Sequence, residues 1–392
     1  MKKLITFSIL TYLLLTINSF AVNQNSNENN LENEKILKIG VLLPLSGKFQ
    51  EIGESFLKAI QLALYDISNE NIKIYPKDSK GNALNTYQAA KEFDEMGIKI
   101  VIGPIFYENL EKLNEINNIT FISLTNRTKN LPKNTIAFGV NIESQFKAIT
   151  KYILDEKITK TILLLPESKF TDQILPIIQN QKFKFYKTYS YKTDPKKLTA
   201  EIKKITNYKK RKINLEARIK KIEKSDLQKD IRELEKIKQL YTLGEVDFNS
   251  VFVADFGERL KSVLTSFIFA DISNKEVAFF TLNQWFDKSL FNEESFQNLI
   301  FPGIDLVNFN KFNKKYFKLF NETAVEISIL AYDAVGLIYL VWKDNGLNFD
   351  IKKFSNDVGF RGLHGEFIIK NNLSYQKLKI YKIHENIFVE IN

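Results

Sequence analysis

From Ile36 to Leu282 the chain alternates short β-branched and leucine-rich runs with longer amphipathic stretches, and few architectures accept that rhythm. Residues 36–44 read ILKIGVLLP and predict a strand. Phe49 to Ile67 then carries apolar residues at Phe56, Ile60, Ala63, Leu64 and Ile67, the spacing of a helix with one buried face. Strands follow at 72–75, 98–102 and 120–123, with helices at 86–96 and near 107–117. A second series places helices at 143–154, 172–180, 195–206 and 258–270 between strands at 161–166, 183–191, 250–254 and 277–282. Strands and helices in strict alternation predict βαβ units and parallel, doubly wound sheets. Two such series predict two α/β lobes, with any ligand held between the carboxyl ends of their strands.

Length agrees with two lobes, since 392 residues exceed the roughly 150 of a single domain. The absence of cysteine excludes disulfides, thiolate metal sites, cysteine nucleophiles and lipids attached through cysteine. His364 and His384 are the only imidazoles, so no metal site and no histidine-based catalysis is expected. Met1 to Ala21 joins Lys2 and Lys3 to an apolar run of about 14 residues, short of the roughly 20 that span a bilayer, and ends in Ser19-Phe20-Ala21. That arrangement predicts a cleavable secretory signal over 1–21, followed by an Asn- and Glu-rich flexible leader over 22–35. The mature chain is therefore expected to be periplasmic and not lipidated, with no transmembrane segment.

One segment interrupts the alternation. Residues 207–245 stand where a short loop from helix to strand is expected. Between Lys196 and Lys238 there are 16 Lys or Arg against 7 Asp or Glu, so this stretch carries nearly all of the chain's net charge of +10. Leu215, Ile219 and Ile222, then Leu227, Ile231 and Leu234, form narrow helical stripes, and Ser225 with Gln228 has the spacing of a capping box. Lys209 to Glu223 and Asp226 to Tyr241 are thus expected to form an antiparallel helical hairpin projecting from the second lobe. Such an arm is either a solvated charged surface or a dock for another protein or an anionic surface; nucleic acid is not expected, because no aromatics interleave the basic stripe.

Catalytic signatures are missing. Ser46-Gly47-Lys48 is followed by Phe49 where a phosphate loop needs Ser or Thr, and the S-x-x-K at Ser144 to Lys147 lies inside a predicted helix without a K-T-G partner. Neither G-x-S-x-G nor G-x-G-x-x-G occurs. The chain is accordingly expected not to be an enzyme and to need no cofactor. The first loop, Leu43-Pro44-Leu45-Ser46-Gly47 with Gly53 opening the next helix, offers a hydroxyl, backbone N–H groups and a helix N-terminus to an anionic group, although Pro and Gly also punctuate ordinary turns. Gly103-Pro104-Ile105-Phe106-Tyr107 is the equivalent loop after a later strand.

KIGVLLPLSGKFQEIGESFLKAIQLALYD, KIVIGPIFYENL, TFISLTNR, ILLLPESKF, VDFNSVFVADFGERL and ILAYDAVGLIYL, taken in order, resemble the landmarks of the type I periplasmic-binding fold of the leucine-binding family. The resemblance covers about residues 36–392 and is nearest to the penicillin-binding protein activator branch of alphaproteobacteria. That branch has a charged helical insertion ending in Thr-Leu-Gly, an Asp-Phe strand and a Gly-Glu-Arg-Leu, here Thr242 to Gly244, Asp247-Phe248 and Gly257 to Leu260. The likeness implies lobe one over 36–141 plus 303–359, lobe two over 142–302 plus 360–392, and a hinge between them.

The amino-acid clamp of the leucine-binding family is altered. Where that family holds an α-carboxylate with small hydroxyl residues, the matching positions are Tyr107, Thr125 and Arg127; Arg127 can grip a carboxylate by different chemistry. Phe170 matches an aromatic that covers ligand, and Trp285 falls where the family keeps an acid for the ammonium. Ser46, Gly47, Tyr107, Thr125 and Arg127 are therefore the expected cleft residues of lobe one, with Phe170 and Trp285 opposite. The resemblance implies a regulator of peptidoglycan synthesis whose partner is a penicillin-binding protein or another envelope protein. The alternative is a solute receptor whose partners are an ABC transporter permease and a small anionic solute or amino acid.

Overall fold

The computed structural model describes residues 36–391 except 226 and 356; the signal and leader expected over 1–35 lie outside the described residues. The chain runs β1 (Leu37–Leu43), α1 (Gln50–Ile67), β2 (Ile72–Asp78), α2 (Ala83–Glu95), β3 (Ile100–Ile102), β4 (Thr120–Ser123) and β5 (Thr135–Ala137). It continues through α3 (Ile142–Asp155), β6 (Thr161–Pro166), α4 (Lys169–Gln179), β7 (Lys187–Tyr191), α5 (Pro195–Ile205), α6 (Tyr208–Ile222), α7 (Gln228–Ile237), β8 (Ser250–Val253), α8 (Gly257–Phe269), β9 (Ala278–Thr281) and β10 (Ile300–Gly303). Last come α9 (Leu306–Phe320), α10 (Ile329–Asn345), β11 (Phe360–Arg361), β12 (Glu366–Lys370), β13 (Leu373–Gln376), β14 (Lys379–His384) and β15 (Ile387–Ile391).

The strands form two sheets of order β11-β12-β13-β5-β4-β3-β1-β2 and β15-β14-β10-β9-β8-β6-β7. Pairing is parallel from β2 through β5 and from β7 through β10, as the alternation predicts, and antiparallel in the terminal hairpins. Six of the seven residues of β1 are buried because helices cover both of its faces. On one side α1 lays Phe56, Ala59, Ile60 and Ala63 against the sheet and against α10; burying Phe56 or Ile60 contributes roughly 2 kcal/mol each. On the other side Ala89, Ala90 and Phe93 of α2 meet Leu42 and Val101. Gly53 is required where α1 begins, since a Cβ there would stand 1.9 Å from the Pro44 carbonyl oxygen.

The segment after β3 and one lobe boundary differ from expectation. Residues 107–117 form two 3-10 turns, Tyr107–Leu110 and Leu113–Glu115, in place of one helix. Leu110, Leu113 and Ile116 all sink into the core beside α2 at a spacing of three, which matches 3.0 residues per turn and not 3.6. The boundary at 359/360 also differs: β11, β12 and β13 hydrogen-bond into the first sheet through β13 and β5, so residues 360–376 are built into lobe one and only β14 and β15 return to the second sheet. The chain thus crosses between sheets near 138–142, 303–306 and 376–379.

The charged insertion folds as two helices, α6 and α7, around a small apolar core of Leu215, Ile222 and Ile237 flanked by Ile219, Leu234 and Leu243. Arg218 spans the pair bidentately, with Nε and Nη2 each 2.8 Å from a Glu233 carboxylate oxygen. The root of the hairpin is held by Arg211, which is 6% exposed and donates to the carbonyl oxygens of Gly244 (2.9 Å), Ala270 (3.1 Å) and Asp271 (2.9 Å). Thr242 adds N–H and hydroxyl bonds to the Asp271 carboxylate. The capping box does not form: α7 starts with Leu227 at its N-cap, and the Ser225 hydroxyl accepts the Leu227 N–H.

This packing separates the arm from its anchor. Replacing residues 209–241 with a short Gly-Ser linker is expected to preserve one cooperative thermal transition, because the chain enters and leaves the arm side by side, Leu243 N–H bonding the Arg211 carbonyl in the wild type, so a short linker spans the gap and the freed Ala270 and Asp271 carbonyls can turn to water. Arg211→Ala in the intact chain leaves those acceptors under the hairpin, and urea unfolding should show a loss of about 3 kcal/mol. Disappearance of the transition in the deletion variant would make the hairpin part of the core.

Candidate functional site

The carboxyl ends of the parallel strands bring the expected residues to two edges. On lobe one, Leu45, Ser46 and Gly47 follow β1, Asp78 ends β2, Tyr107 lies beyond β3, and Thr125 and Arg127 follow β4. Gly47 is exposed with φ +77, a conformation glycine adopts without a Cβ clash. The loops are tied together: Ser123 Oγ and Leu124 N–H both donate to the Pro104 carbonyl, and Phe49 packs on Phe106 with ring centroids 4.5 Å apart. Thr125 is buried and its Oγ1 accepts the Arg127 N–H at 3.2 Å. The Arg127 guanidinium lies 4.7 Å from the centroid of the Tyr107 ring, and its only carboxylate neighbour among the described residues is Glu108 at 3.8 Å. Tyr107 therefore serves as a platform for the guanidinium, a role the sequence reading did not give it.

Asp78 changes the chemistry of this edge. Its Oδ1 accepts the N–H groups of Leu45 and Lys80 at 2.8 Å, and its Oδ2 accepts the Ser46 hydroxyl at 2.5 Å. Burial pushes the Asp78 carboxyl up, but the bonds from Ser46, Lys80 and Leu45 outweigh it and hold the group below the usual carboxylate range. The hydroxyl and one backbone donor that the first loop offers an anion are already taken by a carboxylate of the chain itself.

On lobe two, Phe170 stands near the start of α4, edge-on to Phe256 at 5.5 Å, and Phe256 is 48% exposed. Behind them is a compact polar cluster. Asp255 is fully buried and accepts the Tyr191 hydroxyl at 2.5 Å, the Phe256 N–H at 2.9 Å and a fork from Arg259 at 2.8 to 3.0 Å. Burial first, then the Asp255 charge, pushes the Tyr191 phenol far above its ordinary value, so it stays a donor. Arg259 is oriented by that carboxylate and also lies over the Phe256 ring. Phe256, Asp255 and Arg259 were missed as site residues; the signal was the Asp-Phe-Gly-Glu-Arg run directly after a strand, where acid and base stand four residues apart.

Trp285 is half-buried at φ +50, with its N–H on the Asn283 carboxamide at 2.7 Å. The next residue, Phe286, turns inward among Phe301, Phe309 and Tyr381, so this loop of lobe two is wedged against α9 of lobe one. An acid does stand nearby, contributed by the other lobe. Glu326, ahead of α10, is raised to about 7, by burial first and then by the charge of Asp287. The structure thus gathers Ser46, Gly47, Tyr107, Thr125 and Arg127 on one edge and Phe170 on the other, with Trp285 at the packed side between the lobes. Among the described residues no group of three or more His, Cys, Asp or Glu is placed to hold a metal ion, and no helix is long and apolar enough to cross a membrane.

Glu326 gives the site a measurable pH signature. A carboxyl whose folded value lies above its unfolded one costs stability as pH rises through that interval, from about 4.5 to about 7. Glu326→Gln is therefore expected to unfold at higher urea than the wild type at pH 8 and at the same urea at pH 4. Equal midpoints at pH 8 would show that the carboxyl is not held in this environment.

Comparison with known proteins bears on the fold. Residues 36–207 match the family model described as periplasmic binding protein. An uncharacterized protein of Rickettsia prowazekii, RP748, is 22% identical over 212 residues, which are 52% of this chain; the match spans only 57% of that relative's length. The C-domain of LpoA from Haemophilus influenzae, described as a regulator of PBP1A, superposes with TM-score 0.61 at 14% identity, covering 91% of this chain and 100% of the domain. A putative branched-chain amino acid ABC transporter protein from Rhodospirillum rubrum superposes with TM-score 0.68 at 12% identity over 91% of this chain and 99% of that one.

Proposed function

The chain has the type I periplasmic-binding fold, and from that premise we propose that it is a non-catalytic envelope protein that regulates peptidoglycan synthesis by contact with a penicillin-binding protein. The observation that supports this reading best is the Asp78 carboxylate seated on the Leu45 N–H and the Ser46 hydroxyl. An amino-acid carboxylate arriving at that edge meets a like charge where a receptor offers free donors, and an unpaired buried charge costs several kcal/mol. Trp285 stands where an acid for the ammonium is expected, and Glu326, which faces Asp287 of the same loop, is favoured neutral up to about 7. The likeness to the LpoA domain, complete over that domain's length, is in keeping with a partner-binding role.

Solute capture for an ABC transporter is the second reading, and one feature favours it. Phe170, the exposed Phe256 ring and Arg259 form an aromatic and guanidinium surface on the lobe-two edge, and Arg127 supplies a second guanidinium across from it, a combination suited to a planar or acidic solute.

The two readings separate in one pair of measurements. Leucine, isoleucine, valine and glutamate at millimolar concentration are expected to leave the melting temperature unchanged, whereas a receptor with a micromolar constant gains about 4 kcal/mol at thousandfold excess. A purified synthase of the penicillin-binding class is expected to be retained by the immobilised protein. A rise of several degrees with any of these amino acids, together with no retention, transfers the function to solute capture.

A further inference from the structure

The arm carries a second surface, independent of either reading of the cleft. Arg211, Leu215 and Ile222 turn one side of α6 inward to lobe two and α7. At 100° per residue the opposite side, an arc of roughly 120°, presents Lys209, Lys210, Ile213, Ala217, Lys220 and Lys221, all exposed, with Lys224 just past the helix end. No carboxylate lies inside that arc: Glu216 sits at its margin, and Glu223 is turned away to Lys238 at 3.3 Å. None of these lysines makes an ion pair among the described residues. Two of them, Lys209 and Lys210, occupy the first turn of a fifteen-residue helix that has no acid there, where the helix dipole disfavours cations. At the root, where Asn207 takes a left-handed conformation between α5 and α6, a cavity of about 560 Å³ is lined by Lys203, Lys204, Lys209, Lys210 and Tyr208. This is charge held together against its own repulsion and against the helix dipole, without a counter-ion among the described residues.

We infer that this lysine face docks on the phosphate groups of an anionic membrane surface. Three features select that occupant. The face extends about 18 Å from Lys209 to Lys221, so it meets several anions in a row, whereas a single small anion would need only the root cavity. Every cation in the arc is lysine, a flexible and strongly hydrated point charge suited to a fluid array of headgroups, and the arc contains none of the Arg or Trp that anchor specific protein interfaces. Ile213, 55% exposed at the centre of the charge, can enter the interface between headgroups. The hairpin sets this face on the far side of α6 from the lobe that anchors it, free to lie along a plane.

The test is sedimentation of the full chain with vesicles of phosphatidylglycerol and phosphatidylcholine, against vesicles of phosphatidylcholine alone. Binding should need the anionic lipid and disappear in 0.5 M salt. Each lysine near a membrane surface strengthens binding about fivefold, so Lys209→Gln, Lys210→Gln, Lys220→Gln and Lys221→Gln together should weaken it more than a hundredfold with an unchanged melting temperature. Lys229→Gln with Lys236→Gln, on α7 and off the face, should weaken it only a few-fold. The inference is overturned if the wild type ignores anionic vesicles, as it would were the face a dock for an acidic protein. Binding that survives the fourfold change, or an equal loss in the α7 variant, also overturns it. So does displacement by inorganic phosphate at micromolar concentration, which would make the root cavity a site for a soluble anion. None of these outcomes depends on whether the cleft takes a solute or the lobes engage a synthase.

Discussion

A two-lobed chain that crosses three times between sheets must satisfy the backbone polar groups of the crossings without a strand on either side, and side chains do that work here. The Gln376 amide donates to the carbonyls of Phe138 and Gly139, while the Gln376 N–H donates to Ser144 Oγ, so one residue clasps the first crossing to the third. Asn141 closes the same joint from the other side through Ser374, and its Oδ1 caps α3 at Ser144 N–H. At the second crossing the Tyr381 hydroxyl donates to Ile304 O and accepts Leu306 N–H. Asp333, nearly buried in α10, receives the N–H groups of Leu363 and His364 together with the His364 ring, and so fixes the turn whose His364 carbonyl accepts Asp305 N–H. The orientation of both strand edges follows from these few bonds.

That dependence explains what the sequence made legible. The parallel strands were readable because burial on both faces demands continuous apolar runs, and β4 and β6 match the expected residues end to end. The terminal hairpins were not assignable to a lobe. β12 to β13 and β14 to β15 have the same apolar alternation and the same Asn-containing turns with positive φ, at Asn371-Asn372 and Glu385-Asn386. What separates them is Gln376, a polar residue that reads as a weak strand end and is in fact the clasp. Likewise Pro76 truncated the reading of β2 at residue 75 and hid Asp78; a proline is tolerated there because β2 is the edge of its sheet.

The candidate site was legible at its outline and not in its chemistry. Loop position follows from topology, so Ser46 and Tyr107 could be named from strand ends, whereas Thr125, Arg127 and Phe170 were named only through the resemblance to the leucine-binding family. The state of each group depends on partners distant in sequence: Ser46 is thirty-two residues from Asp78, and Tyr191 sixty-four from Asp255. No periodicity reports such pairs. Arg127 and Tyr107 were read as two independent wall residues, whereas stacking makes them a single unit whose cation is partly shielded by its own aromatic platform.

The two edges are consequently unequal, and the inequality bears on how the lobes can communicate. The first-loop donors of lobe one, the Leu45 N–H and the Ser46 hydroxyl, are closed internally by Asp78, so an anion gains little from that loop and meets Arg127 on its Tyr107 platform as the remaining donor of the edge. The lobe-two edge keeps Phe256 and part of Arg259 in solvent, and its orientation is set by the buried Asp255, which is bonded at the same time to Tyr191 at the end of β7. β7 leads into α5, α5 continues through Asn207 into α6, and α6 is fastened by Arg211 to the end of α8, whose first turn carries Arg259. A displacement of Arg259 therefore has a continuous path of packed elements to the root of the arm, whereas the lobe-one edge reaches the arm only across the hinge.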